Sequence, residues 1–243
     1  MRLLVDAGNT RVKWQLRDGQ VLVRQGASRF DDDVFAELAG IGGSVSGVAI
    51  STVISESRRL ELEHKLAGVV PVRPRFFWSE SVRNGLKSAY ANPETMGADR
   101  WHAMYAGWRK VAGAFAVIDA GSAITVDFVG GDGQHRGGYI LPGRGMMLRS
   151  LKSDAARIRF EDHKADAGEP GVTTSECVLH GLFWLWQSMV TRIQQDCQHY
   201  GIDSILLTGG DADGIHAAGL RAEYIEDLVL VGLATIDAEE ARQ

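Results

Sequence analysis

The sequence predicts an α/β protein built from two related domains, and three observations predict it. Strand-like and helix-like patterns alternate along 243 residues, more than the ~150 of a typical single domain. The segments LLVDAGNTRVKW (Leu3 to Trp14) and AVIDAGSAITVDFV (Ala116 to Val129) share one plan: apolar strand, Asp-Ala-Gly, small polar residues, alternating strand. Their offset of about half the chain is that of a duplicated unit. Glycine outnumbers proline 29 to 5, and the glycines cluster after strand-like runs, where a chain must turn tightly or approach a ligand. The boundary is expected near residue 113, giving domains 1–113 and 114–243.

The elements follow in order. Arg2 to Val5 is a short apolar strand, and Arg11 to Arg17, with Val12, Trp14 and Leu16 alternating, is a half-buried one. Asp18-Gly19 marks a hairpin into a third strand over Gln20 to Gln25. Asp31 to Leu38 is expected as a helix entered through acidic residues. Gly47 to Val53 is β-branched and strand-like, and Ser55 N-caps a helix that runs to Leu66. Pro71 and Pro74 make any strand over Val69 to Trp78 an edge or irregular one. Ser88 to Pro93 is loop. Gly97 to Val111 is helical, since Ala98, Trp101, Met104, Tyr105 and Trp108 recur at three- and four-residue spacings.

The second half opens on a buried strand from Ala114. A turn over Gly130 to Gly133, a further strand over Gly137 to Leu141 and a helix over Gly145 to Ala155 follow. Arg157 to Gly171 is a polar loop, and Thr173 to Tyr200 is a long helix. Ser204 to Thr208 is a buried strand that ends in Gly209-Gly210-Asp211. A short helix, a strand over Glu223 to Leu228 and a last helix close the chain.

Composition excludes several classes. Hydrophobic residues at 45% supply a core and rule out a disordered chain. A net charge of −5 without a basic block argues against nucleic acid as a partner. No apolar run approaches the ~18 residues of a membrane span. Asp6 interrupts any secretory h-region, so a cytoplasmic location is expected. Cys177 and Cys197 are expected as reduced thiols. No Cys/His spacing of a zinc site occurs. Trp101, Trp108, Trp184 and Trp186 are expected to pack in the core, and Asp31 to Asp33 to be solvated.

The chemistry sits in the turns. A glycine turn between strands presents backbone N–H groups to phosphate oxygens. An Asp at the strand end can hold Mg²⁺ or its waters. Lys13, on the strand after the first turn, can reach a phosphate, and Leu207-Thr208-Gly209-Gly210 offers a third close approach of backbone to ligand. No dinucleotide or P-loop signature competes.

These turns resemble those of the acetate kinase, sugar kinase, Hsp70 and actin superfamily. The resemblance implies two actin-like (ribonuclease H-like) domains of mixed sheets flanked by helices, with the nucleotide in the cleft between them. Within it, Tyr90-Ala-Asn-Pro-Glu-Thr-Met-Gly97-Ala98-Asp99-Arg100 resembles a segment of the type III pantothenate kinases. Asp6 to Lys13 and Asp119 to Asp127 resemble that family's two phosphate motifs. Gly137 to Gly143, Thr174 to Gly181 and Leu207 to Asp213 match its later segments in order.

The family resemblance implies ATP-dependent phosphorylation of pantothenate, the first step of coenzyme A biosynthesis. Asp99 becomes the general base, which suits a carboxylate able to take a proton from a primary hydroxyl. It implies phosphate contacts from Asp6, Ala7, Gly8, Asn9, Thr10, Arg11, Val12, Lys13 and Ser122, where the family usually has threonine. Pantothenate contacts are implied for Tyr90, Gly97, Ala98, Asp99, Arg100 and Thr174. Asp119 takes a monovalent cation, K⁺ or NH₄⁺, and Asp6 orients Mg²⁺. Asp127 is given no role beyond ending a strand. The long apolar helix over 173–200 fits the homodimer that the family implies. Two alternatives stand beside this reading: another small-molecule kinase of the superfamily, and a non-catalytic accessory factor for gene expression.

Overall fold

The computed structural model describes residues 1–155, 158–161 and 169–242. Most of the expected Arg157 to Gly171 loop lies outside the described residues. The chain divides into two compact units, Met1–Lys110 with Asp227–Gln243, and Val111–Glu226.

The first unit is a five-stranded sheet in the order β3-β2-β1-β4-β5. Its strands are β1 (Arg2–Ala7), β2 (Arg11–Asp18), β3 (Val21–Arg29), β4 (Gly47–Thr52) and β5 (Pro74–Phe77). The first three form an antiparallel meander, and β4 and β5 add in parallel. Helix α1 (Glu56–Ala67) makes the crossover between β4 and β5, with the Ser55 side chain accepting from the Arg58 N–H as expected. The Pro-containing β5 is an edge strand, as expected.

Side chains alternate between the two sheet faces. Leu3, Val5 and Ala7 of β1, Val12, Trp14 and Leu16 of β2, and Val48 and Ile50 of β4 pack with Leu62 and Leu66 of α1. The opposite face carries Leu4, Asp6, Lys13, Gln15, Ala49 and Ser51 in matching register. It is covered by α2 (Ala98–Lys110) and α6 (Leu228–Glu240), and α2 and α6 also pack on each other. Helix α6 is apolar on nearly every side, so it belongs inside a fold rather than on its surface. A side chain at Gly232 would overlap the His102 carbonyl, which sets how closely these two helices approach.

The second unit repeats the plan. Strands β8 (Phe115–Ala120), β9 (Ala123–Val129), β10 (His135–Pro142), β11 (Ser204–Thr208) and β12 (Glu223–Tyr224) take the order β10-β9-β8-β11-β12. The duplication read from the two Asp-Ala-Gly segments is therefore a duplication of sheet topology. Helices α3 (Arg144–Asp154), α4 (Thr174–Tyr200) and α5 (Ala212–Ala217) complete the unit. A capping box of Thr173 and Glu176 starts α4, and Gly201 in the left-handed conformation ends it. Leu179, Trp186, Val190, Ile193 and Cys197 form its buried stripe.

Several expectations are corrected. The helix over Asp31 to Leu38 is a series of turns with one 3₁₀ turn, Ala36–Leu38. Asp32 explains this, because its carboxylate accepts the Arg29 N–H at 3.1 Å and so competes with helical pairing. The strand over Glu223 to Leu228 is only two residues long, since Leu228 already begins α6. That helix, placed by sequence with the second half, belongs to the first unit, where its apolar surface is buried. Trp184 is 64% exposed, whereas Trp101 and Trp186 are buried as expected. Asp127 does not end a strand: it lies within β9, paired with Val117 and Gly138, where it is buried with its Oδ1 3.0 Å from Nε2 of buried His135. A hairpin of β6 (Val82–Arg83) and β7 (Leu86–Lys87) went unread, although Asn84-Gly85, both at positive φ, is its ordinary turn signal.

Candidate functional site

In the first unit the Asp6 to Lys13 turn lies at one edge of the sheet, the C-terminal end of β1 and β4. The Gly8 N–H closes the first turn onto the Arg11 carbonyl at 3.0 Å. Asn9, Thr10 and Arg11 stand exposed at its tip, while Ala7 and Val12 are buried beneath. Behind the turn, register places Lys13, Asp6 and Ser51 in a row across β2, β1 and β4, all on the α2/α6 face. The row carries an ammonium, a carboxylate and a hydroxyl.

The Gly97 to Arg100 segment reaches the same edge through Val53. The Val53 N–H donates to the Ala7 carbonyl at 3.4 Å. A Cβ on Gly97 would lie 3.4 Å from Val53 Cγ1. Ser79 anchors the segment by donating its hydroxyl to the Met96 carbonyl at 3.0 Å.

Asp99 sits in the first turn of α2, a position that favours negative charge. Its Oδ1 accepts the Arg100 N–H at 2.7 Å. Arg100 is buried, and its Nη1 donates to the Tyr90 hydroxyl at 2.9 Å. Tyr90, Gly97, Ala98, Asp99 and Arg100 thus form one constellation.

His102, one turn beyond Asp99, was missed by the sequence reading. It is fully buried, its Nδ1 lies 2.7 Å from Ser51 Oγ, and burial, aided by the positive charge of Arg83, holds its pKa down at about 3. An unfolded histidine titrates near 6.5. Stability from the neutral ring is therefore complete above pH ~6.5 and is lost as pH falls from there toward the folded pKa. At pH 5 the loss is about 2 kcal/mol. Denaturant unfolding at pH 7.5 and pH 5 is expected to show that extra loss in the wild type and not in His102→Gln. Equal losses in both proteins would contradict it.

The second unit carries the matching construction. Gly121 closes the second turn onto the Ala123 carbonyl at 3.0 Å, one residue tighter than the first. Register sets Thr125, Asp119 and Thr208 in a row across β9, β8 and β11. Gly209, at φ +98°, lets the chain leave β11 against this row, and a Cβ there would lie 2.6 Å from Asp119 Oδ1. Two further bonds lock the turns: the Asp211 N–H donates to the Ala120 carbonyl at 2.8 Å and the Gly143 N–H to the Ser122 carbonyl at 3.1 Å. Burial raises the Asp211 pKa, opposed by Arg144 at the start of α3.

Ser122 is exposed at the turn tip. Thr174 also belongs to the second unit, exposed in the first turn of α4, where capping falls to Thr173. Burial pushes the Cys197 thiol up to about 11, which makes it inert.

Chemically, the two rows differ. Lys13 beside Asp6 offers charges of both signs, suited to phosphate with a divalent ion. Asp119 between two hydroxyls offers one negative charge among neutral oxygens, suited to a monovalent cation.

Comparisons with known proteins agree with the motifs. Residues 2–196 match the family model for type III pantothenate kinase. A type III pantothenate kinase from Marinobacter nauticus is 47% identical over 236 residues, covering 97% of this chain and 98% of that one. Among solved structures, a conserved Baf family protein from Campylobacter jejuni superposes with a TM-score of 0.63 at 20% identity, covering 99% of this chain and all of that one. The (R)-2-hydroxyglutaryl-CoA dehydratase component A of Acidaminococcus fermentans superposes with a TM-score of 0.54 at 17% identity, covering 99% and 98%. At those identities the structures speak to the fold, the mixed-sheet architecture of actin-like ATPases.

Proposed function

This chain belongs to the type III pantothenate kinase family, and from that premise we propose that it transfers the γ-phosphoryl group of ATP to the primary hydroxyl of pantothenate, giving 4′-phosphopantothenate. The observation that carries this reading is the shared edge of the first unit. There the Val53 N–H donates to the Ala7 carbonyl beside the first turn, and Val53 Cγ1 stands 3.4 Å from where a Cβ on Gly97 would lie.

Asp99 is the general base. The hydroxyl oxygen attacks the γ-phosphorus, the bond to the leaving ADP oxygen breaks, and the hydroxyl proton passes to the Asp99 carboxylate. Arg100, buried and oriented by Tyr90, supplies positive charge for the carboxylate of pantothenate, with Gly97, Ala98 and Thr174 as further contacts. Lys13 and the backbone from Asp6 to Val12 contact ATP phosphate, as does Ser122 in the second unit.

Asp6 would hold Mg²⁺, whose positive charge offsets that of the phosphates. Among the described residues no three His, Cys, Asp or Glu side chains converge on a metal position. Beside Asp6 a Mg²⁺ ion would take its other oxygens from phosphate and water, its ordinary manner of binding in kinases. Asp119, flanked by Thr125 and Thr208, fits K⁺ or NH₄⁺. No helix among the described residues is long and apolar enough to cross a membrane.

A second copy covers the second unit's apolar surface. Trp184 and Leu185 of α4 are 64% and 45% exposed, and Ile140 on the edge strand β10 is 64% exposed. An edge strand with apolar side chains invites such pairing. Light scattering is expected to give a dimer mass, and a fully active monomer would remove the dimer alone.

The deciding experiment is ATP consumption with pantothenate, with another primary alcohol and with no acceptor, each in potassium and in sodium buffer. Turnover is expected only with pantothenate, and mainly in potassium. Equal turnover with the other alcohol would point to a different small-molecule kinase. Equal turnover in sodium would remove the cation site and leave the kinase standing.

A further inference from the structure

Asp227 opens the C-terminal segment that belongs to the first unit, and its backbone lies in the left-handed region, at φ 50° and ψ 45°. Among the described non-glycine residues only Asn84 shares a positive φ. Aspartate tolerates this conformation better than most residues, because its short carboxylate can take hydrogen bonds locally, yet the conformation still needs support. Here the support is not local. Oδ1 accepts from Lys13 Nζ at 2.7 Å, and Oδ2 accepts from Nε2 of buried Gln15 at 3.3 Å.

Lys13 and Gln15 are two residues apart on β2 and so share the face on which Asp6 stands. Helix α6 lies over that face and is tied at both ends. Ten residues beyond Asp227, Asp237 Oδ2 accepts from Arg2 Nε at 2.8 Å. The two ties differ in what they hold. Arg2 sits at the opposite end of β1 from the glycine turn, whereas Lys13 stands beside Asp6 immediately behind it.

A lysine ammonium rides on a flexible four-carbon stem, and its freedom must be given up when it binds phosphate. A carboxylate that already holds the ammonium removes most of that cost in advance. An ammonium has three donors, so the tie to Asp227 can persist while another N–H turns to a phosphate oxygen. We propose that Asp227 is a positioning residue for phosphoryl transfer: it fixes the Lys13 ammonium behind the first glycine turn, ready for the phosphates of ATP. The proposal rests on the reading of Lys13 as a phosphate ligand.

A double-mutant cycle tests it in the full-length protein, with kcat and KM for ATP and for pantothenate as readouts and thermal unfolding measured alongside. Asp227→Gly removes the carboxylate and takes the left-handed backbone without strain. It is expected to lower kcat/KM for ATP by about tenfold, the size of a coupled charged contact. KM for pantothenate should not move. Asp227→Asn, which also accepts the conformation and keeps an oxygen acceptor, should fall between wild type and Asp227→Gly. This variant carries the test if the glycine variant does not fold. In the Lys13→Ala background neither change at Asp227 should reduce kcat/KM for ATP further. Wild-type ATP kinetics in the Asp227 variants, or the same loss with and without Lys13, would overturn the proposal. If Lys13→Ala itself leaves ATP kinetics untouched, the phosphate role of Lys13 falls first and the role of Asp227 with it. That outcome is distinct from a Lys13 effect that Asp227 does not share.

Discussion

Asp99→Asn is expected to fold, to bind ATP and to lose about 10²–10⁴-fold in turnover, the usual weight of a general base. The structure gives each half of that expectation a reason. Asp99 Oδ1 accepts the Arg100 N–H at 2.7 Å in the first turn of α2. An asparagine oxygen accepts the same bond, so the start of the helix keeps its partner. What asparagine cannot do is accept a proton from an attacking hydroxyl at neutral pH. The loss should therefore fall on kcat, with little change in ATP affinity or in the unfolding midpoint. Single-turnover phosphoryl transfer and equilibrium ATP binding separate the two. Near wild-type turnover in this variant would sink the assignment of Asp99 while leaving family membership untouched.

The parts of the site that the sequence made legible are those in which neighbours in sequence are neighbours in space. Asp6 and Lys13 face each other because one tight turn joins their strands, so eight residues of sequence already contain the geometry. The second turn could be aligned with the first for the same reason, and the identical strand order of the two sheets follows from repeating that hairpin and its parallel partner. Tyr90 and Arg100, ten positions apart, meet within one segment.

What stayed hidden joins distant parts of the chain. Ser51 lies beside Asp6 only because β4 pairs with β1, and His102 reaches Ser51 only because α2 covers that face. No local pattern distinguishes His102 from an exposed helical histidine. Asp227 lies 214 residues from Lys13. The helix it opens packs in the first unit, which its sequence does not show, because an apolar helix signals burial without saying against what. The expected helix over Asp31 to Leu38 failed for a different reason: an aspartate beside a helix start and an aspartate that closes a turn look the same in sequence.

The second large effect is expected one residue from the helix that carries the base. Gly97→Ala should lower kcat by about 10²-fold, the loss that follows when a reacting group is displaced by roughly 1 Å. A Cβ on Gly97 would lie 2.5 Å from Asp99 Oδ1, well inside van der Waals contact, and 3.4 Å from Val53 Cγ1. The cheaper of the two contacts to relieve is the first, because a carboxylate rotates about its χ angles more readily than β4 and its continuation shift. Relief moves Oδ1 away from the Arg100 N–H and turns the carboxylate from its place. The backbone gives no reason for glycine, since Gly97 is not among the residues at positive φ. Alanine therefore restricts the unfolded chain at no conformational cost to the folded one, and stability should stay within about 1 kcal/mol of wild type. The prediction is a large fall in kcat with a nearly constant unfolding midpoint, a pairing that a packing defect would not produce. In an Asp99→Asn background the same alanine should add almost nothing, because the group it displaces no longer takes the proton. A wild-type kcat in Gly97→Ala, or a full further loss on top of Asp99→Asn, would show that glycine at this position serves something other than the placement of the base.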